Sequence, residues 1–275
     1  MPAQKTPVAM KRNTILALLL ALAATATAQS WSDAFYDALN ADDYARQRTI
    51  LAQWQRETPD DIDLHIARFN HYINSTMLAE GAAAVRLADS AITVIDTAIS
   101  HYPDRLDLRF GKIYFLGQIM RWQSFGDEIL LTLDRSERTG HRWQFPNFDH
   151  GGRILIVEGV QDYLYTLFNS GQPDDDGTGK AAAAATTAPA PDAMPQIRRI
   201  AHRAAQLFPS EPAFLSALAY TYIAEADYKT ALHHLKRAEQ LAPNDPAILQ
   251  QLVDVYTRMK DKKSAAQYRE RLQNL

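Results

Sequence analysis

The sequence predicts an all-α fold, an α-solenoid of roughly six stacked helix pairs. Three observations carry that expectation. The C-terminal end matches itself when shifted by 34 residues: Pro212 meets Pro246, Leu215 meets Leu249, Leu218 meets Leu252, Tyr222 meets Tyr256, Asp227 meets Asp261 and Ala231 meets Ala265. A fixed period of that size marks stacked helix–turn–helix units. Within one period the apolar residues recur at three- and four-residue steps, first Leu215, Leu218 and Tyr222, then Ala231, Leu235, Ala238 and Leu241. Each series therefore lies on one face of a helix. Finally, Pro209 and Pro243 recur at the same spacing. Proline lacks the donor that a helix interior needs and disfavours helix in the residue before it.

The chain begins with an export pattern. Lys5, Lys11 and Arg12 precede the apolar run Ile15 to Ala24, and Ala26-Thr27-Ala28 supplies a small-x-small cleavage site. Residues 1–28 read as a secretory signal peptide, too short to span a membrane stably. The pattern reads equally well from Met10. No cysteine follows the cleavage point, so a lipid-anchored form is not expected. No other run is apolar and long enough to cross a bilayer, so no transmembrane segment is expected in the mature chain.

Residues 29–135 read as divergent helix pairs. Trp31 to Leu39 and Tyr44 to Arg56 form the first, ended by Pro59, with Gln47 and Trp54 where small residues are normal. Ile62 to Asn74 and Ala79 to His101 form a longer second pair, ended by Pro103. Leu106 to Gln118 opens a third, and Gly126 to Asp134 begins or completes its partner. Residues 136–152 read as a loop rich in charge and aromatics. Residues 153–211 form a pair, Ile154 to Asn169 with Ile197 to Phe208, interrupted by residues 170–195. That insertion is an Asp-Asp-Asp-Gly start followed by alanine, threonine and proline. It has too little apolar surface to offset its chain entropy, so disorder is expected. Residues 212–275 hold the two regular units. Ala231 and Ala238 let two helices approach closely there, and larger side chains should overpack them by about 1–3 kcal/mol. Tyr222 reads as a core ring between helices.

Composition narrows the function classes. At 47% hydrophobic and 22% charged the chain is ordinary globular material. It has no cysteine, which excludes disulfides, thiolate metal sites and cysteine nucleophiles. Removing residues 1–28 takes away three basic and no acidic residues, which brings the formal charge from −3 to −6. A mildly acidic chain without basic runs argues against nucleic acid as a partner. Asp174 to Gly179 has the look of a calcium loop, but Ala185 stands where the closing Glu belongs. His65 and His71 point to different faces of their helix, as do the adjacent His233 and His234. His141, Asp149 and His150 share one loop without a fourth ligand and read as surface polar residues. The metalloprotease, serine-hydrolase and phosphate-loop motifs are missing. The reading is therefore not an enzyme, with no cofactor, no metal and no catalytic residue expected.

The repeat residues resemble the tetratricopeptide repeat, or TPR. Leu215, Leu218, Ala219, Tyr222, Ala226-Asp227-Tyr228, Ala231, Ala238 and Pro243 stand in that family's places. Leu215 replaces its usual Trp, and Ala226 its turn Gly. The following unit keeps Leu249, Leu252, Tyr256, Asp261 and Ala265, with Lys260 at the Gly place. With Trp31-Ser32-Asp33 after the signal, Leu108 to Tyr114, and Val160 to Tyr163, the mature chain resembles small exported TPR proteins of Gram-negative bacteria, whose biochemical function is unassigned.

The resemblance implies a concave groove lined by the first helix of each pair, which takes a protein or peptide partner. Its groove-facing places here are Ser216, Tyr220, Ile223, Gln250, Asp254 and Arg258. They lack the Lys, Asn and Arg set that clamps a peptide's C-terminal carboxylate. A second candidate is the loop with Trp143, Phe145 and Phe148. Its rings either clasp the seam between the flanking helices, the favoured reading, or form a platform for a partner or a sugar. The expected function is a scaffold or adaptor in the periplasm, alternatively secreted. The alternative function is an accessory or carbohydrate-associated binding subunit of an envelope system, and catalysis ranks last.

Overall fold

A computed structural model describes residues 30–146, 151–169 and 193–275. The expected signal peptide, Phe148 and residues 170–192 of the expected insertion lie outside the described residues. Those described form twelve helices and no strand. In chain order they make six pairs: α1 (Trp31–Asn40) with α2 (Tyr44–Glu57), α3 (Ile62–Leu78) with α4 (Gly81–His101), α5 (Leu106–Gln118) with α6 (Trp122–Arg138), α7 (Gly152–Asn169) with α8 (Met194–Leu207), α9 (Pro212–Ala224) with α10 (Tyr228–Leu241), and α11 (Pro246–Arg258) with α12 (Lys262–Gln273). The fold is all-α and of the helical-repeat type.

One turn design recurs. Asp42, Met120, Ala226 and Lys260 each have φ between 52° and 62°, the left-handed region. In all four turns the next residue's N–H donates back to the helix just ended, Asp43 to Ala38, Arg121 to Leu116, Asp227 to Tyr222 and Asp261 to Tyr256, at 2.9 Å each. This is the Schellman closure, which satisfies carbonyls that a helix end would otherwise orphan. In three of the turns the same residue is an aspartate that caps the next helix: Asp43 accepts from the Arg46 N–H, Asp227 from Thr230 and Asp261 from Ser264. Arg121 makes no such cap.

The described residues divide into two compact units, one within 1–112 and 144–150 and the other within 113–143 and 151–275. In the first, α1 packs on α2 and α3, and α3 packs along α4. Phe35, Ala38, Trp54, Leu64 and Ala67 form its core. The two large residues at the small places of α2 are both inside. Trp54 is 2% exposed, and its Nε1–H donates to Asp61 Oδ2 at 2.9 Å. Gln47 Nε2 donates to the Ala38 carbonyl, which leaves its Oε1 to accept from His71 Nδ1 at 2.7 Å. His65 and His71, read from sequence only as facing different ways, are both buried. Burial and, secondarily, positive neighbours push both imidazoles below their ordinary pKa.

In the second unit α6 and α7 both pack on α8. From α8 to α12 each helix packs on the next, and α9 also touches α7 and α11. The small residues Ala201, Ala204, Ala231 and Ala238 are fully buried there. Several expected boundaries move. α6 starts at Trp122, so the expected Gly126–Asp134 segment completes it and Gly126 is a packing glycine inside the helix: a Cβ there would meet Gln196 at 2.9 Å. It also runs to Arg138, beyond the expected loop start at Ser136. The charged residues there are its solvent face, and Arg203 bridges Asp134 and Glu137. α7 begins at Gly152, the last residue expected in that loop. α8 starts at Met194, inside the expected insertion, with Pro195 in its first turn, where proline costs no hydrogen bond. In the first unit α3 continues past Asn74 to Leu78, with the Ser75 and Thr76 hydroxyls donating to carbonyls one turn back.

Tyr222 is not a fully buried core ring. It is half-buried, stacked on His234 at 5.6 Å with the Arg198 guanidinium 4.5 Å from its centre. Arg198 also donates to the Thr221 side chain and carbonyl and pairs with Glu225 at 2.8 Å. Here α8, α9 and α10 are joined by a stacked polar seam as well as by hydrocarbon.

Candidate functional site

The first helices α7, α9 and α11 each bury one face and leave another to solvent. On α7, Ile156, Val160, Leu164 and Leu167 are buried, while Ile154, Glu158, Asp162 and Tyr165 are exposed. Steps of four, four and three residues place the exposed set within one stripe. Ile154 is 60% exposed and Tyr165 72%. One turn on, Phe168 meets Tyr220 of α9 edge to face, with ring centres 4.9 Å apart. Tyr220 remains 41% exposed.

From Tyr220 the surface continues to Ser216, whose hydroxyl donates to Gln251 Oε1 of α11 at 3.0 Å. Ile223 is half-buried on the same side of α9. On α11, Gln250 donates to Asp254 Oδ1 at 2.9 Å, and Arg258 is exposed in the last turn. The contacts Phe168–Tyr220 and Ser216–Gln251 thus bring the six groove candidates onto adjoining helices with the α7 stripe. Sequence reading missed Ile154, Glu158, Asp162, Tyr165 and Phe168. The missed signal was the polar face of α7, where Ile154 and Tyr165 stand opposite an otherwise complete apolar stripe.

Electrostatically the α7 stripe is acidic. Glu158 and Asp162 sit four residues apart and both are exposed at residue level. Partial burial of its carboxyl, then the charge of Glu158, raises the Asp162 pKa. The nearest cation on the same helix is directed elsewhere: Arg153 pairs with Glu211 at 3.6 Å and lies over the Phe208 ring.

The aromatic loop residues Trp143 and Phe145 fall in different units. Trp143 belongs to the second unit, where its Nε1–H donates to Ser136 Oγ at 3.1 Å. Its Cβ lies 3.0 Å from where a side chain on Gly152 would start. The indole thus braces the end of α6 against the start of α7. His141, read as a surface residue, is also drawn in, its ring 5.0 Å from Phe208 and its Nδ1 2.8 Å from Ser136 Oγ. Phe145 is half-buried in the first unit, beside Gln144, whose backbone pairs with Asp104 and Leu106. Phe148 lies outside the described residues.

Residues 222–274 match the tetratricopeptide-repeat family model. That segment covers the end of α9, all of α10, α11 and α12, and both left-handed turns, at Ala226 and Lys260. No curated protein sequence matches the chain. Among solved structures it is similar to PilW, a widely conserved type IV pilus biogenesis factor, at 13% identity over 89% of this chain and 91% of that one, with a TM-score of 0.41. It is also similar to the MamA RS-1 ArsTM double mutant, at 14% identity over 89% and 91% with a TM-score of 0.27. A third is Acl4, an assembly chaperone of RpL4, at 14% identity over 90% and 89% with a TM-score of 0.37. Likenesses this loose carry no functional argument, so function is read from this chain's own surface.

Proposed function

We propose that the chain is a protein-interaction scaffold or adaptor of the cell envelope, exported through residues 1–28, which holds a protein or peptide partner across the exposed faces of α7, α9 and α11. One observation carries the reading: two tyrosines, Tyr165 at 72% and Tyr220 at 41% exposure, stand open on adjoining first helices. Rigid amphipathic rings of this kind are the residues that dominate protein interfaces. No helix among the described residues is long and apolar enough to cross a membrane.

The test is capture from envelope extract on the immobilised mature chain, wild type against the Tyr165→Ser/Tyr220→Ser double variant. A stoichiometric protein retained by the wild type and lost by a still-folded double variant supports the scaffold. A glycan retained without protein supports the carbohydrate-associated alternative instead. Export is tested separately by N-terminal sequencing of the native protein, expected to start at or near Gln29. An uncleaved N-terminus recovered from the cytoplasm removes the envelope from the proposal.

A further inference from the structure

Resting on that reading, we infer that the partner segment is basic and presents arginine to the α7 stripe, with a guanidinium over Tyr165 and in pairing distance of Asp162 and Glu158. The argument is one of complementarity. Like charges four residues apart on a helix repel and destabilise it slightly. Neither Glu158 nor Asp162 has an ion-pair partner among the described residues. The cation best placed in sequence to relieve them, Arg153, is held by Glu211 and Phe208. The repulsion is therefore left standing on the most exposed aromatic surface of the unit.

Two ligand features follow. The open face of Tyr165 attracts a cation through its quadrupole, and a planar guanidinium stacks there better than an ammonium. The two carboxylates accept charge-assisted hydrogen bonds, which a guanidinium donates in a fixed fork. Beyond Tyr165 the surface turns apolar and uncharged through Phe168 and Tyr220, and the outward places Ala213, Ala217 and Ala224 of α9 are small. A segment that alternates arginine with apolar side chains matches both parts. An acidic segment meets like charge on α7.

The experiment uses the full mature chain and labelled synthetic peptides alternating leucine with arginine, lysine or glutamate. Binding is read by fluorescence anisotropy, with thermal melts to show that each variant is folded. The arginine peptide should bind best, the lysine peptide more weakly, and the glutamate peptide not at all. Glu158→Gln/Asp162→Asn should weaken the arginine peptide by about tenfold or more, the size expected for losing charge-assisted bonds. Tyr165→Ala should weaken it and narrow the gap between arginine and lysine. Glu270→Gln, an exposed acid on α12, should change nothing.

The inference is overturned if the arginine peptide does not bind, or binds unchanged to the double amide variant. It is equally overturned if Glu270→Gln weakens binding as much, which would mean a net-charge effect. Self-association of the wild type that disappears in Asp162→Lys would make a second copy the occupant and also overturn it. The scaffold reading fails by a different result: an envelope partner captured equally by wild type and the double tyrosine variant. Tyrosine-dependent binding of the glutamate peptide would leave the scaffold standing and remove only the arginine.

Discussion

The pair α1–α2 and the pair α9–α10 share one turn and fill their interiors in opposite ways. Both close with a left-handed residue, Asp42 or Ala226, followed by an aspartate that caps the next helix. Inside α10 the close-approach places hold alanine, Ala231 and Ala238, each fully buried. Inside α2 the corresponding places hold Gln47 and Trp54, also buried, each with its polar atoms bonded. The turn conserves backbone geometry, because orphaned helix-end carbonyls must be satisfied whatever the side chains are. The interior conserves only filled volume, and a large side chain is accepted where its hydrogen-bonding groups find partners.

The largest expected effect tests that filling. Trp54→Ala should cost about 3–5 kcal/mol, since it leaves a cavity and strips Asp61 of a donor. The converse, Ala238→Leu in α10, should cost about 1–3 kcal/mol by overpacking. Chemical denaturation of both variants is the check. A midpoint shift for Trp54→Ala no larger than for Ala238→Leu would mean α2 has relaxed around its tryptophan and the contrast is empty.

Next comes Trp143, which ties the ends of α6 and α7. Its substitution by alanine should lower the melting temperature through loss of packing and of the Ser136 bond, at about 1–3 kcal/mol. Binding to any partner of the α7 face should survive. Unchanged stability together with lost partner capture would make the loop a platform instead of a brace.

The interior of the first unit should also be acid-sensitive at one site. The His71 imidazole has a folded pKa below its unfolded value of about 6.5, because burial, then Arg48, disfavours its charged form. Above that pH both states are neutral at this ring and it contributes no slope. As pH falls through about 6.5 the unfolded chain takes up a proton that the folded ring resists, so stability drops until the folded pKa is passed. The bond to Gln47 persists in either state, because Nδ1 is the donor. His71→Asn, which keeps a donor toward Gln47, should lose less stability than wild type between about pH 7.5 and about pH 5.5. Parallel slopes in thermal melts would remove His71 as the cause.

The smallest effect concerns the shared turn. Ala226 occupies a left-handed conformation that costs a residue with a Cβ about 1–2 kcal/mol. Glycine removes that strain and returns part of it as unfolded-chain entropy. Ala226→Gly should therefore stabilise by about 0.5–1 kcal/mol. A neutral or destabilising result from the same melts would show that the Schellman bonds already absorb the strain.

Helix existence and pairing were legible in the amino-acid order, and so were most helix ends. α5 falls at the expected Leu106–Gln118, and α1, α2 and α9–α12 follow the expected positions closely. These are local matters: 3.6-residue periodicity, proline stops and aspartate caps act within a few residues of one another. The errors had a common origin. Gly126 was one reading of where α6 begins, when it lies inside that helix against Gln196, some seventy residues away in sequence. Residues 136–138 were read as loop when they belong to α6 and Glu137 pairs with Arg203. Tyr222 was read as core when Arg198 and His234 share it.

Sequence alone determined that this chain is a set of helix pairs with a 34-residue C-terminal repeat, because that information sits in near neighbours. Only the tertiary structure decided that Gln47 and His71 satisfy one another inside the first unit, and that Trp143 braces helix ends. Only it set Tyr165, Phe168 and Tyr220 on adjoining helices beside two carboxylates, Glu158 and Asp162, that have no ion-pair partner among the described residues. The physical reason is distance along the chain: burial, pairing and surface adjacency depend on residues that meet after folding, and a linear pattern fixes a helix's faces without saying which neighbour will cover them.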